Sequence, residues 1–311
     1  MELIRELHNL RPRHRGCVAT IGNFDGVHRG HARLVDRTRE RAAELGLPAC
    51  VVTFEPHSKE FFAPDKAPPR LTDLRGKVAA LRTHGVDQLL VLHFNRDLAA
   101  LSPREFIDRV LVAGLGVRHV VVGHDFVFGQ GAQGSLADLQ ARGAEAGFSA
   151  EEIPEFREGD AVVGSTAIRA ALAEGDLATA ERLLGRPFTL CGRVIRGDRV
   201  GRSIGFPTVN LHMHHRRLPV AGVFAARVAG GGLDGHPAAV NVGRRPTFQG
   251  LDVRVEAHLL DFSGDLYDQR LELTFEKRLR EERSFPDGEA LAAQIGRDLE
   301  QARAHFGLSP A

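Results

Sequence analysis

Over its first 185 residues or so, the chain alternates two hydrophobic periods, and this constrains its fold more than any other feature. Short apolar, β-rich runs stand at Cys17 to Ile21, Ala49 to Phe54, Gln88 to Phe94 and Arg118 to Gly123. Near-continuous runs of this kind suit strands buried on both faces of a parallel sheet. Helical stretches separate them. Leu34, Val35, Thr38, Ala42 and Leu45 share one face of the first. Ser102-Pro103-x-Glu105 opens another with a cap, a first-turn proline and a capping-box acid, and Ser135 with Asp138 starts a third. Strand–helix alternation winds into βαβ units, so the expected class is α/β with a doubly wound parallel sheet. The unusual sequences GNFDG, EPH, HFNRD and GHDF each follow one of these strands. In an open parallel sheet such loops gather at the carboxyl edge, where ligands bind.

After Arg186-Pro187 the texture changes. Thr189 to Arg196, Val223 to Val228, Ala238 to Val242, Val253 to Leu260 and Arg270 to Phe275 read as strands joined by glycine-rich turns, with no helix between them. This predicts a small antiparallel barrel. A closing helix runs from about Asp287 to Phe306, with Leu291, Ile295, Leu299, Ala302 and Phe306 as its apolar stripe. The boundary falls near residues 184–188, dividing a domain of residues 1–185 from one of residues 186–311.

Composition narrows the class of function. Lys plus Arg number 41 and Asp plus Glu 40, a net charge of +1. This balance argues against bulk nucleic-acid binding, which needs a concentrated basic face, but leaves local anion sites open. No apolar run approaches the roughly 20 residues that span a bilayer, and the opening MELIRELHNLRPRHRG lacks the apolar core of a secretory signal. Cys17, Cys50 and Cys191 are scattered and odd in number, which fits a reducing cytoplasm.

The most specific string is Gly22-Asn23-Phe24-Asp25-Gly26-Val27-His28-Arg29-Gly30-His31. Its glycines let backbone approach a ligand, and the helix that follows offers free N–H donors to an anion. Three residues apart, His28 and His31 can share one side of the first helical turn and donate to phosphate as charge builds. In Val163-Gly164-Ser165-Thr166-Ala167-Ile168-Arg169, Ser165 and Thr166 can cap a helix while contacting phosphate, and Arg169 can clamp a triphosphate. Phe54-Glu55-Pro56-His57 and Gly123-His124-Asp125-Phe126-Val127-Phe128-Gly129 are weaker signals: His57 reads equally as a turn histidine, and alternating phenylalanines are more often core.

The second half carries Gly197 to Leu211, GDRVGRSIGFPTVNL. Its glycines, Gly201 and Gly205 among them, can wrap phosphate with backbone amides, beside Arg202 and Pro207. Thr208 and Asn210, two apart in extended chain, face one side and offer hard neutral oxygens suited to Mg²⁺. In Arg254-Val255-Glu256-Ala257-His258 the odd-numbered residues take one strand face, and Arg254, Glu256 and His258 the other. The His212-Met213-His214-His215 run reads as a solvated loop, since nothing completes a metal set. Lys277 to Arg283 alternates sign and reads as exposed surface.

GNFDGVHRGH and the VGSTAIR stretch resemble the HxGH nucleotidyltransferase superfamily. With GxxxGRxxGFPTxNL added, the whole chain is similar to the bacterial bifunctional riboflavin kinase/FMN adenylyltransferase family. The resemblance implies that the second domain phosphorylates riboflavin to FMN with ATP and the first adenylylates FMN to FAD, both with Mg²⁺ and with flavins as substrates and products. It implies catalytic roles for His28, His31, Arg169 and Glu256. ATP and phosphate fall to Gly22, Asn23, Phe24, Asp25, Gly30, Ser165, Thr166, Gly201, Arg202, Gly205 and Pro207, and flavin to His57, Asp125, Phe126, Phe128, Asn241 and Arg245. Thr208 and Asn210 become the metal ligands. The implied partners are small molecules, with neither nucleic acid nor membrane and at most weak self-association. Three positions depart from the pattern: Gly164 replaces a serine, His124 an acidic or aromatic residue, and Phe224 a frequent tyrosine. Three rival readings are a kinase whose adenylyl domain is inactive, a flavin-binding regulator that consumes no ATP, and transfer of another nucleotide to another phosphate, which fits HxGH alone but ignores the second half.

Overall fold

The computed structural model describes residues 1–159, 161–196, 205–213, 217–247 and 250–310, with side chains given for all but 244–247 and 250–252. They form two compact units: Met1–Pro68 with Leu74–Gly164, and Pro69–Asp73 with Ser165–Ala311.

The first unit is built on a six-stranded, wholly parallel sheet. In chain order the strands are β1 (Glu2–Arg5), β2 (Val18–Ile21), β3 (Ala49–Glu55), β4 (Gln88–His93), β5 (His119–Gly123) and β6 (Ser149–Ile153). They lie side by side as β1-β4-β3-β2-β5-β6. Successive residues of β2 and β3 serve opposite layers. Ala19, Ile21, Cys50 and Val52 pack on one face with Phe106, Leu111 and Leu139, and Val18, Ala49 and Val51 on the other with Leu34, Val35, Ala42 and Leu81. That double burial is why these strands have no polar alternation. The connecting helices are α1 (Arg29–Leu45), α2 (Ser58–Phe62), α3 (Leu74–Thr83), α4 (Arg96–Ala99), α5 (Pro103–Phe106) and α6 (Leu136–Ala146). After α5 the chain widens into a π-helical stretch, Ile107–Leu115, closed by left-handed Gly116. The expected caps form: Ser102 Oγ accepts the Glu105 N–H at 3.2 Å, and Asp138 accepts the Ser135 N–H at 2.8 Å. Leu45 departs from the expected α1 stripe. It is 51% exposed, because Gly46 turns the chain away at the end of the helix.

A two-stranded ribbon, β7 (Arg157–Glu158) with β8 (Ala161–Val162), leads to the end of the first unit. The second unit begins with α7 (Ser165–Glu174) and α8 (Leu177–Leu184), of which α8 packs on the barrel that follows. Its strands are β9 (Thr189–Ile195), β10 (Val209–His212), β11 (Gly222–Gly230), β12 (Leu233–Thr247), β13 (Gly250–Leu259) and β14 (Arg270–Arg280). They pair antiparallel and close in the order β10-β13-β12-β11-β14-β9. The closing helix spans Gly288–His305, with Leu299 and Ala302 packed on Ala225 and Ala239. It also buries a polar pair that the apolar stripe does not indicate: Asp298 accepts from Arg280 at 2.8 Å and from Gln294 at 2.7 Å.

One cluster ties α1 to the sheet. Glu151 on β6 accepts from Arg37 at 2.8 Å and Arg41 at 3.0 Å, and lies 3.3 Å from His119. Arg41 chiefly, then Arg37 and His119, hold its carboxyl down to about 2. A carboxylate with a lowered folded-state pKa stabilises above its unfolded value and loses that contribution as pH falls toward the folded one. Glu151→Ala is therefore expected to cost about 1 kcal/mol at neutral pH, the range of a partly exposed ion-pair network. In urea titrations the gap from the parent should narrow between about pH 5 and about pH 3.

Candidate active sites

The first site is the turn that joins β2 to α1. From β2 the chain crosses toward β3 and β4 on one side, and β5 lies on the other. A strand flanked in this way leaves a crevice at its carboxyl end. Gly22 still donates to Val52 O at 3.0 Å, and the chain then turns sharply. Left-handed backbone falls not only on Gly26 (φ 85°) but on Phe24 (φ 48°) and Val27 (φ 40°). For side-chain-bearing residues, such conformations cost roughly 1–3 kcal/mol each and persist only where packing enforces them. Both side chains are buried, at 0% and 1% exposure, so the core holds the turn in shape.

The turn delivers His28 as the N-cap of α1. Its Nδ1 accepts the His31 N–H at 3.3 Å. A ring nitrogen that accepts carries no proton, so a proton on the His28 ring sits on Nε2. The two imidazoles stack at 3.7 Å with 19° between planes, and Phe24 lies 5.0 Å from His31. Burial first, then the nearby His28 ring and the Lys77 ammonium, push His31 well below the ordinary imidazole range. His31 is thus a neutral donor at physiological pH. Its Nδ1 and the Asn23 Oδ1 are buried without hydrogen-bond partners among the described residues, which leaves polar atoms for a ligand to engage. Gly30 is required by space: a Cβ there would stand 3.0 Å from Val163 O and 3.2 Å from the His28 ring.

Other expected residues of this unit fall around the same edge. Asn23 Nδ2 lies 3.4 Å from Ser58 Oγ, so the loops after β2 and β3 meet. His57 caps α2, its Nδ1 accepting the Lys59 N–H at 3.1 Å, and is buried. Asp25 is also buried. Phe128 belongs to the core, stacked on Phe126 at 5.4 Å and tilted against Phe106. The Asp125 side chain is 94% exposed, and its neighbour His124 pairs with Glu152 at 2.8 Å. Ser165, Thr166 and Arg169 lie on α7 in the second unit, where Arg169 Nε donates to Pro69 O at 2.7 Å. Lys77 of α3, fully buried, escapes the motif-based reading.

The second site lies on the outer face of the barrel. Asn210 of β10 stands opposite Glu256 of β13, and Glu256 opposite Asn241 of β12. Their neighbours Leu211, Val255, Val240 and Val242 point inward and are buried. A row of two amides and a carboxylate therefore crosses three strands, with the Arg254 guanidinium 4.0 Å from Glu256. Thr208 and Asn210 line a cavity of about 360 Å³ with Pro207, Ile195, Phe262 and Tyr267. His258, on the same face of β13, donates from Nδ1 to Pro207 O at 2.8 Å and so anchors the segment that carries Thr208. Glu282, expected as plain surface, brings Oε1 within 2.5 Å of where a Gly243 Cβ would be, beside the Asn241 amide. Phe224 packs edge-on against Phe275 in the barrel core. Gly205 takes φ 88°. Gly201 and Arg202 lie outside the described residues, and Arg245 is described by its backbone in β12 alone.

Two family models match: FAD synthetase over residues 10–167 and riboflavin kinase over residues 184–306. The bifunctional riboflavin kinase/FMN adenylyltransferase of Pseudomonas fluorescens is 50% identical, over 98% of this chain and 97% of its own length. That of Escherichia coli K12 is 46% identical over 99% of both chains. The chain belongs to the bifunctional riboflavin kinase/FMN adenylyltransferase family. Among solved structures, a Streptococcus pneumoniae chain titled a macrolide-efflux protein matches with TM-score 0.81 at 27% identity, over 97% of this chain and 99% of that one. Among the described residues, no helix is long and apolar enough to cross a membrane.

The contacts at Gly30 give a test of the first site. Gly30→Ala should press the His28 ring out of place and lower FAD formation from FMN by about tenfold or more, the scale of a small misplacement near a reacting centre. Riboflavin phosphorylation should stay unchanged. Separate initial-rate assays with FMN and with riboflavin check this.

Proposed function

We infer that the chain makes FAD from riboflavin in two ATP-dependent steps, phosphorylation to FMN by residues 186–311 and adenylylation by residues 1–185. The observation that carries the adenylylation reading is the His28–His31 arrangement at the start of α1. In that step an FMN phosphate oxygen attacks the α-phosphorus of ATP, the bond to the β-phosphate breaks and pyrophosphate leaves. No covalent enzyme intermediate is needed, so the protein's contribution is alignment and stabilisation of developing charge. His28 and neutral His31 donate to the phosphates, and the α1 N-terminus adds oriented N–H groups. Gly22, Asn23, Phe24, Asp25 and Gly30 shape that cradle. Ser165, Thr166 and Arg169 bind the triphosphate, and His57, Asp125 and Phe126 border the flavin, with the core residue Phe128 backing the Phe126 ring.

In the kinase step Glu256 takes the proton of the ribityl 5′-hydroxyl as its oxygen attacks the γ-phosphorus and ADP leaves. The cross-strand row of Asn210, Glu256 and Asn241 supports this reading. Gly201, Arg202, Gly205 and Pro207 bind the nucleotide, and Asn241 and Arg245 the flavin. A hydroxyl, an amide and a neighbouring carboxylate, all hard oxygen donors, fit Mg²⁺, and Thr208 and Asn210 would hold it. When bound, the ion neutralises charge on the transferring phosphates. The even charge balance supports small molecules as the only substrates, without nucleic acid or membrane and with at most weak self-association. The free thiols Cys17, Cys50 and Cys191 support a cytoplasmic enzyme.

Chromatography of a riboflavin, ATP and Mg²⁺ reaction over time should show FMN and then FAD. His28→Ala should stop the reaction at FMN, with adenylylation down by roughly 10²–10³. Glu256→Gln should slow FMN formation by roughly 10²–10⁴ yet still convert added FMN to FAD, and Asn210→Ala should block the first step in the same way. FAD formed at the parent rate by His28→Ala would refute the assignment of adenylylation to this turn.

A further inference from the structure

Lys77 stands where a core residue belongs. With Leu74, Val78 and Leu81 it occupies the apolar stripe of α3, spaced at i, i+3, i+4 and i+7, and its exposure is 0%. Lysine is almost never wholly buried, because removing an ammonium from water is costly unless polar groups compensate. A leucine would serve the helix better if packing were the only requirement. The ammonium instead reaches the first active site. Lys77 Nζ donates to Thr53 Oγ1 at 3.3 Å, and Thr53 Oγ1 donates its single proton to Asn23 O at 3.2 Å. The chain runs one way, from a cation through a hydroxyl to a carbonyl of the strained turn. On the same turn, Asn23 Oδ1 and His31 Nδ1 are buried without hydrogen-bond partners among the described residues.

We propose that Lys77 is a positioning residue for adenylyl transfer: through Thr53 it fixes the Asn23 peptide of the turn, and its charge makes the floor beneath the two histidines electropositive. Two consequences follow. The Asn23 carbonyl is held down and away from the incoming phosphates, which it would otherwise repel. His31, faced by Lys77 from α3, His28 from its own turn and Phe24 from the loop, keeps a neutral ring whose N–H donates without adding a second buried cation.

Lys77→Met tests this, since methionine fills a similar straight-chain volume without the charge. In the full-length protein we expect kcat for FMN adenylylation to fall about tenfold, the loss expected when charge stabilisation is weakened rather than removed. KM for FMN should change by less than about threefold, since no substrate contact is lost. Riboflavin phosphorylation should match the parent, and a cooperative thermal transition reports that the first unit is folded. The His31 imidazole proton resonance, assigned by its loss in His31→Gln, should titrate at higher pH than in the parent. Unchanged adenylylation kinetics would overturn the proposal, and so would a rate loss with the His31 titration unmoved, which is the mark of a structural role. If Lys77→Met loses its cooperative thermal transition, Lys77→Gln is read by the same criteria. The proposal rests on adenylylation at the β2 turn. Failure of that assignment would show separately, as an active His28→Ala.

Discussion

A parallel strand can be joined to its neighbour only by a crossover that covers one face of the sheet. In the first unit the chain winds from β2 toward β3 and β4, then returns to lay β5 against the opposite side of β2. The carboxyl end of β2 is therefore where the crossovers part, and the turn bearing His28 and His31 occupies it. That turn takes a shape unfavourable to Phe24 and Val27 and keeps it because both side chains are locked into the core. Packing energy is converted there into a fixed direction for α1 and the donors at its start.

The barrel solves a different problem. An antiparallel surface sets polar side chains of neighbouring strands side by side in register. Alternation sends Val255 and Ala257 inward and Glu256 outward, and pairing with β10 and β12 places Asn210 and Asn241 on either side. His258, two residues along the same face, holds the Pro207 carbonyl and with it the entry to β10. The first unit thus gathers two imidazoles at a helix start, the second a carboxylate between two amides on a sheet. In the proposed mechanism each suits the proton inventory of its reaction: a phosphate nucleophile needs no base, a hydroxyl does.

The central strands β2 to β5 were legible because double burial writes itself as unbroken apolar runs. Their edge counterparts were not. In β1 only Ile4 is buried, and β6 reads Ser-Ala-Glu-Glu-Ile because Glu151 serves the α1 arginines. The motif around His28 could be read from spacing, since a cap and its first turn are local. Lys77 could have been noticed as a cation on the apolar stripe of α3, but nothing local says what it reaches. The same holds for Asp298 and Gln294 on the closing helix, whose partner Arg280 comes from β14.

By itself the amino-acid sequence determined the two-part organisation, the strand–helix alternation, the barrel character of the second half and the short motifs that carry the chemistry, because periodicity and turn composition are properties of neighbouring residues. Only the tertiary structure decided which strand lies beside which, that Glu256 stands between Asn210 and Asn241, that Phe128 is core, and that a lysine on a distant helix ends beneath the histidine turn. Those facts depend on sheet order and register, which are set by the summed packing of residues tens of positions apart and leave no mark on any short stretch of chain.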